Sequence, residues 1–303
     1  MQAFTQIFNQ RIFFGAMNWG MGHISRSIDM LRQLENQGNH LAIACNAEQE
    51  QIMRSYFPEA EYLALDGYPF YFSQKGFSSF HFLLQTPKLR QHIALEKKWV
   101  RDILKRKPFD LILSDHRYGF RHEDIPSVFI THQCELPLPW YGQIIQRIHA
   151  SYLNAFDFCW IVDSELERFA GKLSSRPKIP SCYMGPLSRF EDAVQRKKWN
   201  IMVLNGPKAF HKLLIYHFKK ELSTLDYVIG RHPEIPAHIP QIVSWREADL
   251  LLSEAKCIYS FCGYSTMMDV SRLGCAWRTI PTPGQREQEY LFQQKTLREG
   301  GLI

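Results

Sequence analysis

Residues 11–27 read "RIFFGAMNWGMGHISRS": an apolar run, a turn carrying Gly15, Gly20 and Gly22, a lone histidine (His23), then the start of a helical pattern. The short, nearly continuous apolar run reads as a strand buried on both faces, which belongs to a parallel sheet. Glycine in the turn lets backbone approach a neighbour closely, and a helix that starts there adds free N–H groups and a partial positive charge. A strand, a glycine turn and a helix form the opening unit of a doubly wound α/β domain, in which ligands bind beyond the carboxyl ends of the strands.

The pattern repeats along the chain. Apolar runs at 40–45, 62–66, 110–114, 127–131 and 159–163 alternate with amphipathic stretches such as "SRSIDMLRQLENQ" and "HIALEKKWVRDILKR". In the latter, Ile93, Val100, Ile103 and Leu104 form the inward stripe and the lysines face out. Prolines and charges gather over 174–199, and the apolar period breaks there, as expected of a connection between domains. A second alternating series follows: 200–206, a helix over about 208–223, then 226–230, 241–245, 248–255, 257–261, a helix over 265–273, 277–281 and a last helix over 286–298. The expected architecture is α/β, with two Rossmann-like domains over 1–185 and 186–303.

Composition sets the class. The chain has 303 residues, 45% hydrophobic and 22% charged, with a net charge of +6. That is the profile of a globular protein. No apolar run reaches the length that spans a bilayer, and the N-terminal stretch lacks the organisation of an export signal. Seven cysteines without a CxxC pair are expected to be reduced thiols in the cytoplasm, and the Cys257–Cys262 spacing does not suit zinc. No metal site is expected. The basic residues are scattered, and nucleic-acid recognition signatures are absent.

The turn after residue 17 is neither a GxGxxG fingerprint nor a Walker A loop. His23 becomes its chemical feature, because imidazole accepts a proton near neutral pH. Asp115 closes the run "FDLILSD", also at a carboxyl end, so a His23–Asp115 pair is expected on one rim. A carboxylate on one ring nitrogen orients the other as a base.

The stretch "SFCGYSTMMDVSRLGCAWRTIPTPGQREQEYLFQQ" (260–294) resembles the nucleotide-sugar site of GT-B-fold glycosyltransferases, and most closely that of family 28. That family includes the N-acetylglucosaminyltransferase of peptidoglycan precursors and the diacylglycerol glucosyltransferases. Cys262, Gly263, Thr266 and Asp269 match its small-Gly-x-x-Thr-x-x-acid segment; Pro281, Gln285 and Gln288 match its Pro…Gln motif. "GMGHISRS" and "THQ" (131–133) match two islands of the first domain. The resemblance implies two domains facing across a cleft and an inverting, metal-independent transfer from a UDP-sugar, with no cofactor.

It also implies roles. His23 and Asp115 would be catalytic. Gly206, Trp245, Arg246, Gly263, Tyr264, Ser265, Thr266, Asp269, Gln285, Glu287 and Gln288 would hold the donor, with the diphosphate at the 263–266 helix start. Asp269 would take the ribose hydroxyls, the glutamines the sugar, and Trp245, read as a strand end, the base. Gly20, Gly22, His132 and Gln133 would line the acceptor side.

The chain departs from the family at Gly206, a single glycine where a Gly-rich loop is usual, at Cys275–Ala276 and at Phe292. A same-fold epimerase or hydrolase, or a silent sugar-nucleotide binder, are the alternatives. The aromatic, basic stretch 67–92, with Phe70, Tyr71, Phe72, Lys75, Phe77, Phe80, Phe82, Lys88 and Arg90, is a candidate membrane-touching lip for a lipid-linked or glycan acceptor. The protein would then lie peripherally at the inner face of the membrane.

Overall fold

A computed structural model describes residues 6–18, 21–68, 79–138, 142–190 and 197–298, with only the backbone over 79–86. The chain divides into two compact units at Leu187 and Ser188.

The first unit holds β1 (Arg11–Ala16), α1 (Gly22–Asn36), β2 (His40–Cys45), α2 (Ala47–Met53), β3 (Glu61–Ala64), α3 (Ser79–Leu104), β4 (Leu111–Asp115), β5 (Ser127–Thr131), α4 (Gln143–Leu153), β6 (Phe158–Ile161) and β7 (Ser181–Tyr183). The second holds β8 (Trp199–Val203), α5 (His211–His217), β9 (Tyr227–Ile229), β10 (Gln241–Ile242), α6 (Trp245–Ser253), β11 (Ala255–Phe261), α7 (Tyr264–Leu273), β12 (Ala276–Ile280) and α8 (Arg286–Arg298). Their sheets run β3-β2-β1-β4-β5-β6-β7 and β10-β9-β8-β11-β12. Every pairing is parallel.

In both sheets the strand order reverses beside the first strand, between β1 and β4 and between β8 and β11. That switch point is where a doubly wound sheet opens a crevice for ligand. Strands β1, β4, β5 and β6 are buried almost throughout, as their unbroken apolar runs require.

Local chemistry sets several boundaries. Asn46 and Gln49 close a reciprocal capping box at the start of α2. Gly274, at φ 60°, ends α7 in the left-handed conformation.

Three sequence expectations change. β7 lies inside the stretch read as an interdomain connection; it is three residues long, pairs with β6 and escapes pattern reading. The leucine run after Ala248 is the helix α6, not a strand: Ala248 and Leu252 are buried while Leu250 is exposed. The proposed lip is helical from Ser79 onward, as the start of α3. Its segment 69–78 and the side chains of 79–86, among them Phe70, Tyr71, Phe72, Lys75, Phe77, Phe80 and Phe82, lie outside the described residues.

Candidate functional site

In the first unit the register places Ala16 directly beside Asp115, and the Met17 amide donates to the Asp115 carbonyl. The turn leaving β1 therefore starts at the end of β4, and α1 begins at Gly22 with no acidic residue in its first turn. This brings His23 onto Asp115: Nδ1 lies 3.0 Å from Oδ1. The pair expected from sequence is formed. Asp115 is fully buried, whereas the His23 side chain keeps 16% exposure, so the imidazole is the member that meets solvent.

A third residue completes the cluster. Arg26, one helical turn beyond His23, is buried. Its Nε donates to Asp115 Oδ2 at 3.0 Å, and its Nη2 grips Oδ1. Its Nη1 lies 2.8 Å from His132 Nδ1, and Ser27 Oγ lies 3.4 Å from Asp115 Oδ2. Burial alone would raise the Asp115 carboxyl, but Arg26 and His23 overcome it and hold it below the ordinary range. Burial and the Arg26 charge lower His23 against the opposing pull of Asp115, so the ring is neutral at pH 7.

Behind the cluster lies a buried imidazole layer. His116 follows Asp115 at φ 63°, a left-handed conformation uncommon outside glycine, although histidine adopts it more readily than most side chains. Its Nδ1 meets Thr131 Oγ1 at 2.9 Å. The Tyr118 hydroxyl lies 2.7 Å from His149 Nδ1, and His149 Nε2 lies 2.9 Å from the Gln133 carbonyl. The carbonyl can only accept, so His149 carries its proton on Nε2 and takes the Tyr118 proton on Nδ1.

Burial lowers His149 to about 4 and His116 well below its usual value. Both groups bind protons more weakly folded than unfolded. Their stabilisation is complete above the unfolded value and is lost as pH falls through it. His149 alone is expected to cost the first unit about 2 kcal/mol between pH 7 and pH 5. Urea denaturation at the two pH values measures this, and a His149→Gln variant with an unchanged difference would refute it.

Of the other acceptor-side residues, Gly22 opens α1 and Gly20 lies outside the described residues. The Gln133 amide donates to Thr131 Oγ1.

The second unit builds its own switch point. The Asn205 side chain, after β8, takes the Phe261 amide on Oδ1 and donates through Nδ2 to the Phe261 carbonyl and Thr266 Oγ1. Gly206 follows at φ 73°, which favours glycine. A Cβ there would sit 3.5 Å from Thr282 Oγ1, a buried hydroxyl with no hydrogen-bond partner among the described residues. Gly263 precedes α7 and offers no side-chain cap, and no acidic residue stands in the first turn. Ser265 and Thr266 are half-buried and Tyr264 is buried. A helix start of this kind favours an anion.

Asp269 already has partners within the chain. Ser188 Oγ donates to Oδ1 at 2.7 Å and Arg189 Nη1 to Oδ2 at 2.6 Å. Burial raises its carboxyl, with Arg189 and Ser188 opposing. Both oxygens thus hold the start of the second unit. Arg189 also donates to Asp249 Oδ1 and lies 5.3 Å from the Trp245 ring centre. Trp245 is the first residue of α6, not a strand end, and Arg246 beside it is exposed. Gln288 Oε1 accepts from the Thr282 amide, and its Nε2 donates to Gln285 Oε1. Both glutamines therefore brace the loop after β12, with Glu287 half-buried beside them.

Among the described residues, no group of three or more His, Cys, Asp or Glu side chains is arranged to hold a metal ion. No helix among them is long and apolar enough to cross a membrane. Sequence reading missed Arg26, His116, His149, Ser188 and Arg189. Only Arg26 carried a local signal, its three-residue offset from His23.

No family model matches this sequence, and no curated protein is detectably similar to it. Similarity appears in three dimensions. The structure resembles a glycosyltransferase of kitacinnamycin at TM-score 0.62 and 14% identity, covering 94% of this chain and 84% of that one. It resembles CalG4, the calicheamicin glycosyltransferase, at TM-score 0.62 and 12% identity, covering 94% and 84%. UGT89C1 of Arabidopsis thaliana gives TM-score 0.63 and 12% identity, covering 96% and 83%; it has also been solved with quercetin and with UDP-L-rhamnose. At such identities the likeness is one of architecture, and it extends over nearly the whole chain: two Rossmann-like α/β domains in the GT-B fold of these glycosyltransferases.

Proposed function

We propose that the protein is an inverting glycosyltransferase that moves a sugar from a UDP-sugar to an acceptor hydroxyl. The observation that carries this is His23 Nδ1 on Asp115 Oδ1 at 3.0 Å, at the switch point of the first sheet, in a chain of this fold. His23 Nε2 takes the acceptor proton. The acceptor oxygen bonds to the anomeric carbon as the bond to the diphosphate oxygen breaks, and configuration inverts. Negative charge on the departing nucleoside diphosphate is stabilised by the start of α7, with no metal ion required.

The family 28 type is the finer reading, supported by the motif islands at 20–27, 131–133 and 262–288. A lipid-linked or glycan acceptor at the membrane surface fits the aromatic and basic content of 67–92. Ligands of the neighbours support the donor class: one was solved with UDP-L-rhamnose.

Calorimetric titration with UDP and UDP-N-acetylglucosamine tests the donor site. Binding is expected for the wild type, weakened about tenfold, or about 1.4 kcal/mol, in Ser265→Ala/Thr266→Ala. Absence of binding for both nucleotides would overturn the reading.

A further inference from the structure

The His23 cluster contains one guanidinium facing two imidazoles, and proton accounting there is restrictive. Arginine has N–H donors only and accepts nothing. The 2.8 Å contact from Arg26 Nη1 to His132 Nδ1 therefore requires a bare Nδ1, which leaves the proton of neutral His132 on Nε2; the Gln133 carboxamide, 3.4 Å from that Nε2, must then turn its oxygen towards the ring to accept the proton. At His23 two contacts compete: Nδ1 lies 3.0 Å from Asp115 Oδ1 and 2.8 Å from Arg26 Nη2. One nitrogen cannot donate to the first and accept from the second. Arg26 is already bound through Nε and Nη2 to both carboxylate oxygens. The state with His23 Nδ1–H on Asp115 thus satisfies the carboxylate, and it sets the guanidinium charge against the imidazole edge.

We propose that Arg26 is a positioning residue that sets the protonation pattern of both rings, making His132 an obligate Nε2–H donor and His23 a neutral base with a bare Nε2. This rests on the reading of His23 as the base. The carboxylate that orients His23 is shared, so its charge is not available to stabilise an imidazolium alone. Every charged or titratable neighbour enters this balance. Asp115 comes from β4, Arg26 from α1, His132 from the loop after β5, and His116, its ring centre 5.9 Å away, from just beyond β4. Asp115 alone favours a protonated His23; burial, Arg26 and His132 oppose it, and His116 is itself held uncharged by its burial. The base is therefore ready at neutral pH, and its protonation at acid pH is resisted.

Long-range proton–nitrogen correlations on histidine-labelled protein read the ring protons directly, with no substrate. In the wild type His132 is expected to show a bare Nδ1 and a protonated Nε2, and His23 a bare Nε2 at pH 6.5. A protonated Nδ1 on His132, or a His23 that titrates at or above the ordinary histidine value, would overturn the proposal.

In Arg26→Met the His23 titration is expected to move up by about one pH unit, and His132 to lose its single tautomer. Arg26→Lys keeps the charge and is expected to hold the His23 titration near the wild-type value; a Lys variant that moves it as far as Met does would count against the proposal. Should Arg26→Met fail to fold, Arg26→Met/Asp115→Asn removes both buried charges together. His132 retaining one tautomer there would likewise refute the assignment. Because these readouts need no turnover, a protein that transfers no sugar but shows the assigned protons separates this inference from the proposed function.

Discussion

Replacing His23 by alanine is expected to lower kcat for sugar transfer by about 10²–10⁴-fold, with KM for the nucleotide sugar unchanged. The base acts on the acceptor proton, so its loss removes an interaction made in the transition state and not in donor binding. His23 is also the member of the cluster that can be changed cleanly. Its side chain retains 16% exposure against none for Asp115, and its removal leaves the Arg26–Asp115 pair intact. Asp115→Asn would instead leave Arg26 buried without its counter-charge and confuse folding with chemistry. Steady-state kinetics with a thermal melt of the same sample decides the matter. A folded His23→Ala protein within threefold of wild-type kcat would assign the imidazole to helix entry alone.

What made the first domain readable was its strands. β1, β4, β5 and β6 are buried on both faces, and such strands must be continuous apolar runs whatever surrounds them. The same logic located the His23–Asp115 pair, since a carboxyl-end position is a consequence of strand direction. It fails for β7, too short to show a period, and for α6, where a leucine run fits helix or strand until exposure of Leu250 decides.

The hydrogen bonds made within the second unit were beyond its reach. Asp269 sits in the expected motif, yet Ser188 and Arg189, about eighty residues earlier, occupy both its oxygens. Gln285 and Gln288 are likewise where the motif puts them, and they are linked to each other and to the loop after β12. Spacing identifies which residues come to a rim; it does not say which hydrogen bonds they have already made.

A second buried charge pair carries the larger stability prediction. Arg117 and Glu96 are 1% and 3% exposed, with Arg117 Nε on Glu96 Oε1. Arg117 Nη2 donates to the Asp66 carbonyl at 2.8 Å and Nη1 to the Ala16 carbonyl at 3.3 Å. The Gly119 amide and the Tyr68 hydroxyl both donate to Glu96 Oε2. Burial holds the Tyr68 phenol well above its ordinary value, so it remains a donor. A Cβ at Gly119 would lie 2.6 Å from the Ile93 carbonyl, so this corner is packed to backbone contact. One ion pair thus joins α3, the end of β1 that leads to His23, and the segment after β3.

Arg117→Met removes the cation and leaves Glu96 buried and charged, which is expected to destabilise the first unit by about 3–5 kcal/mol. For a unit of this size that corresponds to a fall in melting temperature on the order of 10 °C. Arg117→Met/Glu96→Gln removes the uncompensated charge and keeps an acceptor for Gly119 and Tyr68, so much of the loss is expected to return. The two carbonyls that Arg117 served lose that donor, which limits the recovery. Urea denaturation of both variants measures the difference. A single variant within about 1 kcal/mol of wild type, or a double variant no more stable than the single, would show that charge burial is not what this corner depends on.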